Sequence, residues 1–453
     1  MTNTIDVDDL VASVRGDRNR AVDFYKAAAM VAVAFGHWMA IAVFKDPDGE
    51  IVAKNALEFD YSLAWVTWAL QVMPLFFLAG GFSSAVSLDS HYRKGGAPQD
   101  WVANRLRRMM VPTMVLAYVW IVVLGLGTAV GVRELAFIGA AAAAIPLWFL
   151  ANYTIDTAIA PITLPLFRKN PLGFFSIIGI AFALFEILGI VGVPLIHNVN
   201  WVIGWLTFQI LGFAWKDGLL PSRRTLGFAA PLLWALTYAI VKIGPWRASM
   251  VADGGTEFLP THPPSIALML FGFAYCATAV FLAPSINTWL SRSSKSFKVV
   301  AILGSVGMSV YLWHFTAAVG AGVGLLFVDG LPTAEVGTAQ WWVQKTPLIG
   351  LSFVVLLVVL RLVKRFEIEG LLGDKAAYRG SMVRMLISAA LLSAGVKLWT
   401  GGTPTKLVIG LALTTLVWHL DLKARRSPMP TEIRAAVDSP IDSWRRHWIV
   451  RDD

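Results

Sequence analysis

The residues most able to do chemistry lie in one apolar stretch, residues 22–44, which carries Lys26 near its start and His37 well inside it. At about 1.5 Å per residue, the stretch is long enough to cross a bilayer core of about 30 Å as a helix. The eleven-residue spacing puts both side chains on one face, about 16 Å or three turns apart. We therefore expect Lys26 at one membrane surface and His37 just past the bilayer middle. Ionisable groups at that depth are costly and often functional, although a lone histidine also serves as a hydrogen-bonding link between helices.

A second deep histidine, His314, lies in the later apolar segment 305–315, beside Tyr311. Two such histidines favour a polar site inside the membrane, although each is also compatible with a satisfied core residue. Trp148 and Tyr153, in another apolar segment, either line a polar cavity or lie at the membrane interface. The histidines are scattered, and no HExxH, GxSxG or Gly-rich phosphate loop is present, so we expect no metal centre.

Three further charges fall within apolar segments. Glu186 lies inside the predicted fifth span, and Lys242 lies at the outer end of the seventh. Asp156 is expected close enough to the cytoplasm to contact water. Charges inside a membrane often mark ion or proton pathways, so these residues also fit a transport protein.

The densest basic segment is residues 91–112, in which Arg105 and Arg108 are three positions apart. On a helix both guanidinium groups would point the same way. Arginine binds phosphate through paired hydrogen bonds, and a helix N-terminus favours anions. The plainer interpretation is an anchor at the cytoplasmic surface. The preceding segment contains Gly80 and Gly81, which would let a ligand or another helix approach closely.

The composition identifies the class of protein. The chain has 453 residues, of which 57% are hydrophobic and 15% charged, with a mean hydropathy of +0.64. Soluble domains average about 45–50% apolar and about 25% charged residues. The apolar segments are too long for barrel strands, so the chain is a helical membrane protein. The polar first twenty residues predict no cleavable signal peptide, and the single cysteine, Cys276, excludes an internal disulfide.

The predicted fold is all-α: a polytopic transmembrane helical bundle with about 10 core spans plus a C-terminal pair, and a cytoplasmic N-terminus. Pro146 is expected to kink the fourth span. The short turn at 399–405 makes a re-entrant hairpin the alternative for the last pair. The predicted spans are residues 22–44, 62–87, 110–130, 135–160, 172–195, 199–216, 226–243, 264–284, 298–327, 347–364, 381–398 and 404–420.

These segments divide the chain into four predicted parts. Residues 1–20 form a cytoplasmic arm, and residues 21–365 form the main transmembrane domain. Residues 366–421 add a transmembrane hairpin, and residues 422–453 form a charged cytoplasmic tail.

Loop charges predict the orientation. Lysine and arginine concentrate in alternate loops, as expected for the cytoplasmic side, and this asymmetry accounts for most of the net charge of +9 without a nucleic-acid partner. The opposite loops hold fewer cations, mixed with acidic residues. The predicted cytoplasmic cations are Arg93, Lys94, Arg105, Arg107, Arg108, Arg168, Lys169, Lys216, Arg223, Arg224, Arg292, Lys295, Lys298, Lys364, Arg365, Lys375 and Arg379; the outer ones are Lys45, Lys54, Arg133, Arg247 and Lys345.

Four motifs in this order resemble the acyltransferase-3 family of membrane acyltransferases over roughly residues 20–365. Asp23, Lys26 and His37 match its Arg/Lys-x10-His signature. PLFFLAGGF at 74–82, the Arg105–Arg108 pair and YLWHF at 311–315 match three further elements, listed here in chain order. PLWFL at 146–150 and THPPS at 261–265 are similar to actinobacterial members. Two departures are Lys26, where arginine is commoner, and Gly80, where many members have serine.

The resemblance implies transfer of an acyl group, often acetyl, from cytoplasmic acyl-CoA to a hydroxyl of an envelope lipid or glycan, in the inner membrane of a bacterium. Acyl-CoA would be a substrate, with no permanently bound cofactor. His37 would be the catalytic base, since burial disfavours its charged form. His314 is implied as a second catalytic group, which could orient His37, bind the acceptor or do neither. The remaining site residues implied are Lys26, Arg105 and Arg108 for the donor phosphates, and Asp23, Trp148, Tyr153 and Tyr311 for substrate.

Two other classes remain open from the residues alone. A transporter or flippase would use the histidines and Glu186 as a proton relay. A structural or sensory protein would use the same polar groups only for packing, and His37→Ala would then cost stability rather than activity.

Overall fold

The structure is a computed structural model that describes residues 19–45, 49, 51–193, 196–252, 259–261, 263–372, 378, 380–400 and 403–422. Ten helical segments in these ranges are long and apolar enough to cross a membrane, which confirms the polytopic helical bundle. The predicted N-terminal arm up to residue 18, His262 of the THPPS motif and the tail from residue 423 lie outside the described residues. The helices are α1 (Arg20–Ala40), α2 (Thr67–Leu70), α3 (Met73–Arg93), α4 (Pro98–Ala129), α5 (Arg133–Ala144), α6 (Leu147–Lys169), α7 (Pro171–Ile190), α8 (Asn200–Lys216), α9 (Arg223–Ile243), α10 (Ile266–Arg292), α11 (Ser294–Phe327), α12 (Ala339–Leu372), α13 (Met382–Trp399) and α14 (Pro404–Val417).

The first span ends earlier than predicted. Helix α1 stops at Ala40, and the next residues form strand β1 (Ile41–Lys45), which pairs antiparallel with β2 (Ile51–Asn55). Val43 lies opposite Ala53 in this hairpin. The prediction of a helix to residue 44 is therefore wrong, because the apolar β-branched and aromatic side chains after Ala40 suit a strand as well as a span.

Two predicted spans are interrupted. The segment at 62–87 begins with a 3₁₀ turn at Tyr61–Val66 and the short α2, before α3 starts with Pro74 in its first turn. The segment at 135–160 is broken between α5 and α6, as Pro146 predicted, because proline cannot donate the helical hydrogen bond.

Helix α1 lies in the middle of the bundle, packed against α11, α3 and α10. Helices α3 and α8 pack closely, and glycine makes this contact possible. A Cβ atom on Gly81 would lie 1.9 Å from the carbonyl oxygen of Gln209, and one on Gly212 would lie 2.2 Å from that of Leu78. Gly81 therefore serves helix packing.

The ends of α3, α6 and α8 meet in one ion cluster. Arg168 bonds both Asp89 and Asp217, at 2.7 Å in each case, and Lys216 pairs with the same two carboxylates. Arg168 and Lys216 are both predicted to face the cytoplasm, so we call this end of the bundle the inner end. The β-hairpin then lies at the outer end.

The last two helices form an antiparallel pair that packs against the rest of the bundle. Helix α13 lies along α6, and its contact with α14 is close at Gly395 and Gly410. At the inner end, the Tyr378 amide donates to Asp100 of α4, and its hydroxyl donates to Asp421, both at 2.7 Å. The pair is therefore fastened to the main domain from two directions.

Candidate functional site

The two deep histidines meet. His37 of α1 and His314 of α11 are 277 residues apart, yet His37 Nδ1 lies 2.8 Å from His314 Nε2. His314 is fully buried. A second bond ties the same helices, because the Trp38 indole nitrogen donates to the His314 carbonyl oxygen at 2.9 Å. The sequence left open whether His314 orients His37, and the structure brings the two rings into contact.

The hydrogen-bond network assigns a proton to each ring. His314 Nδ1 faces the Tyr311 carbonyl oxygen at 2.7 Å, and a carbonyl oxygen only accepts, so this nitrogen carries the hydrogen. His314 Nε2 is then the acceptor, and His37 Nδ1–H is its donor. His37 Nε2 is thereby left with its lone pair. This is the arrangement of a base oriented by a second group.

A buried lysine fixes the end of α1 beside this pair. Lys345 of α12 has no exposed surface, and its ammonium donates to the carbonyl oxygens of Met39 and Ile41. These carbonyls end the helix two to four residues after His37, where a helix leaves such groups without partners. The Lys345 ammonium also lies 4.2 Å from the centre of the Trp341 ring. It thus closes α1 at Ala40 and holds the His37 backbone in place.

A large cavity of about 1660 Å³ opens at the outer end and includes His37 in its lining. Trp148 and Tyr311, both predicted to bind substrate, line the same cavity. The Tyr311 ring is buried, and its hydroxyl donates to the Pro146 carbonyl oxygen at the break between α5 and α6. The β-hairpin forms another part of the wall. Most of the remaining lining is apolar, so the cavity suits an amphiphilic molecule.

Two of the three predicted donor-binding cations, Lys26 and Arg105, meet on α3 at the inner end. The Lys26 ammonium donates to the Ser83 hydroxyl, while Arg105 donates to the Ser83 carbonyl oxygen at 3.3 Å and to Ser87 Oγ at 2.6 Å. The Arg105 guanidinium also lies 5.0 Å from the centre of the Trp101 ring. Lys26 and Arg105 are thus brought together on Ser83, and their binding of a donor stays a prediction.

The other predicted residues have different surroundings. Arg108 lies one turn beyond Arg105 and is exposed. Asp23 lies in the first turn of α1, at the inner end and far from the cavity. Tyr153 fills the space beside Gly80, where a Cβ atom would lie 2.9 Å from the Tyr153 hydroxyl.

The prediction that Asp156 contacts water is wrong. Its side chain is fully buried, and neither carboxylate oxygen has a hydrogen-bond partner in the described part of the chain. Helix α6 extends to Lys169 rather than ending near residue 160, so Asp156 lies well inside the span.

The sequence does not single out three residues that contact the candidate site. Ser83 and Ser87 are four positions apart and therefore share a face of α3, but serine is common at helix contacts and gave no distinct signal. The loop charges predict Lys345 only as an ordinary outer-loop lysine. Its position just before Thr346 and Pro347, next to two tryptophans, is the only signal that its sequence offers.

Comparison with known proteins gives one family match. The model of the acyltransferase domain family matches residues 19–363, which is most of the chain and includes both histidines and the inner cations. No curated protein and no solved structure matches the chain.

Proposed function

The chain belongs to the acyltransferase-3 family that it matches and is a membrane O-acyltransferase; from this premise we propose that it moves a short acyl group from cytoplasmic acyl-CoA to a hydroxyl of an envelope lipid or glycan, with His37 as the base. The family membership displaces the transporter interpretation. The donor, the acceptor and the role of His37 are the proposed parts.

The observation that carries the proposal is the bond between His37 and His314 at the floor of the outer cavity. A base needs a lone pair at the substrate and a fixed ring orientation. The bond to His314 occupies Nδ1, which leaves His37 Nε2 to act on a substrate. When Nε2 gains a proton, His314 Nε2 still accepts from Nδ1–H and stabilises the imidazolium.

The proposed reaction is a direct transfer in which His37 moves one proton. His37 Nε2 takes the proton of the acceptor hydroxyl while the hydroxyl oxygen attacks the thioester carbonyl carbon. The new C–O bond forms and the C–S bond breaks, so the coenzyme leaves as a thiolate. The imidazolium of His37 then returns its proton to that thiolate.

We propose that three cations at the inner end, Lys26, Arg105 and the exposed Arg108, bind the coenzyme phosphates. The ammonium and guanidinium groups are at the inner end, and arginine suits phosphate through its paired donors. Lys26 and His37 lie about 16 Å apart along one helix. A donor bound at these three cations would therefore reach His37 only with its thioester end extended along α1.

The test compares wild type with His37→Ala, both purified in detergent and supplied with acetyl-CoA and a crude envelope lipid extract, by release of free coenzyme A. We expect His37→Ala to lose about 10²–10⁴-fold in rate, the usual contribution of a positioned base. His91→Ala is the matched control, since His91 lies in the last turn of α3 at the inner end and, among the described residues, its side chain hydrogen-bonds only the Ala97 carbonyl oxygen. Equal rates for wild type and a well-folded His37→Ala would remove His37 from the mechanism.

A further inference from the structure

Part of the outer cavity is built by helices that lie beyond the family match. The match ends at residue 363, whereas Lys397 and Thr400 at the outer end of α13 and Lys406 at the start of α14 all line the cavity. The C-terminal pair therefore adds a wall to a site whose histidines belong to the matched domain. Any selectivity that this wall provides is a property of this chain's added helices.

The added wall is basic. Among the described residues, the lysines and carboxylates in the cavity lining are Lys54, Glu58, Glu134, Lys397 and Lys406. Lys54 is compensated by Glu58 at 3.9 Å. In the described part of the chain, neither Lys397 nor Lys406 makes an ion pair. Glu134 lies at the start of α5, outside the C-terminal pair that carries the two lysines.

Lys397 is held by an aromatic ring. Its ammonium lies 4.1 Å from the centre of the Trp201 ring, and Trp201 lies 5.6 Å from Trp148, which also lines the cavity. A cation over an aromatic face is fixed in position but keeps its N–H groups for another acceptor. No described residue accepts a hydrogen bond from the Lys397 ammonium. Its three donors are thus left for a ligand.

We propose that Lys397 and Lys406 form an anion-binding wall, and that the acceptor is an amphiphilic lipid whose headgroup carries a negative charge, such as a phosphate. The apolar lining takes the lipid chains, and the two ammonium groups take the anion. This inference rests on the proposed function, because it names the class of acceptor for that same cavity.

Binding is tested first, without catalysis. The full-length protein in neutral detergent is offered phosphatidylglycerol or phosphatidylcholine, and retained lipid is counted by native mass spectrometry. Wild type should retain the anionic lipid in preference, and Lys397→Ala with Lys406→Ala should lower that preference by about tenfold, the effect of a lost charge-assisted hydrogen bond. The double replacement by arginine should keep it, since the charge remains.

The matched control is Lys242→Ala. Lys242 is also an exposed lysine at the outer end of a span, and its ammonium lies 5.2 Å from the Trp65 ring, but it does not line the cavity. An equal loss in Lys242→Ala would show ordinary attraction of outer lysines to anionic lipid and would overturn the proposal. Absence of any preference in wild type would also overturn it.

The transfer reaction separates this inference from the proposed function. The envelope extract is divided by anion exchange, and coenzyme A release is measured with each fraction. Release with the anionic fraction that falls in the double alanine variant, but not in Lys242→Ala, supports the wall. Release only with the neutral fraction overturns the wall and leaves the proposed function standing. No release with any fraction counts against the proposed function, while lipid retention still decides the wall.

Discussion

His314 holds His37 through a bond of 2.8 Å between two ring nitrogens, and the Tyr311 carbonyl in turn fixes His314. This chain of bonds runs from the backbone of α11 to the side chain of α1. The nitrogen of His37 that acts in the proposed mechanism is therefore oriented by a residue that need not touch the substrate.

We expect His314→Ala to reduce acyl transfer while leaving donor binding unchanged. His37 loses its orienting acceptor, but the proposed phosphate-binding cations Lys26, Arg105 and Arg108 are intact. The loss should be smaller than that of His37→Ala, whose full effect is about 10²–10⁴-fold. The measurement is kcat and KM for coenzyme A release. His314→Gln, which keeps a hydrogen-bond acceptor, should retain more of the wild-type kcat than His314→Ala does. A wild-type kcat in His314→Ala would refute the orienting role.

Lys345→Met should destabilise the protein by about 1–3 kcal/mol, because it leaves the carbonyl groups of Met39 and Ile41 buried without their donor. Activity should fall together with stability, because the hydrogen bonds from Lys345 to these carbonyls hold the end of α1 that carries His37. Thermal unfolding in detergent measures the effect. Lys45→Met is the control, because Lys45 pairs with the exposed Asp329 and exposed ion pairs add little to stability.

Gly80→Ala should lower the unfolding temperature, because the new Cβ atom would lie 2.9 Å from the Tyr153 hydroxyl. Tyr153→Phe in the same chain should restore part of the loss, giving a coupling of about 0.5–3 kcal/mol between the two sites. Gly125→Ala on α4 is the control, since its Cβ would meet no atom within 4 Å. Additive effects of the Gly80 and Tyr153 replacements would exclude the contact.

Acid should weaken the ion cluster that Arg168 and Lys216 form with Asp89 and Asp217. The Arg168 hydrogen bonds hold the pKa of Asp217 below its ordinary value, so this carboxylate adds stability above its unfolded pKa of about 4. That stability is lost as the pH falls through the lower, folded pKa. Arg168→Gln should therefore destabilise by about 1 kcal/mol or less at neutral pH, since the cluster is partly exposed.

The measurement for this cluster is the difference in unfolding temperature between wild type and Arg168→Gln as a function of pH. The difference should be constant near neutral pH and should shrink in acid. A difference that grows in acid would contradict the role assigned to Asp217.

The features that could be predicted from the sequence are those that depend on local periodicity along one helix. The spacing of Lys26 and His37 follows from one helix, and the break at Pro146 follows from one missing N–H group. The meeting of His37 with His314 depends on how α1 packs on α11, and no local pattern contains that information. The early end of α1 likewise depends on Lys345, which is 305 residues further along than Ala40.

The contact between α13 and α6 also bears on how the protein is made. The ribosome synthesises α6 before α13, so the face of α6 that α13 later covers must first meet lipid or another protein. Throughout that interval His37 and His314 already exist in the chain, but the outer cavity lacks the side that contains Lys397. The order of synthesis therefore delays completion of the cavity until the end of the chain has entered the membrane.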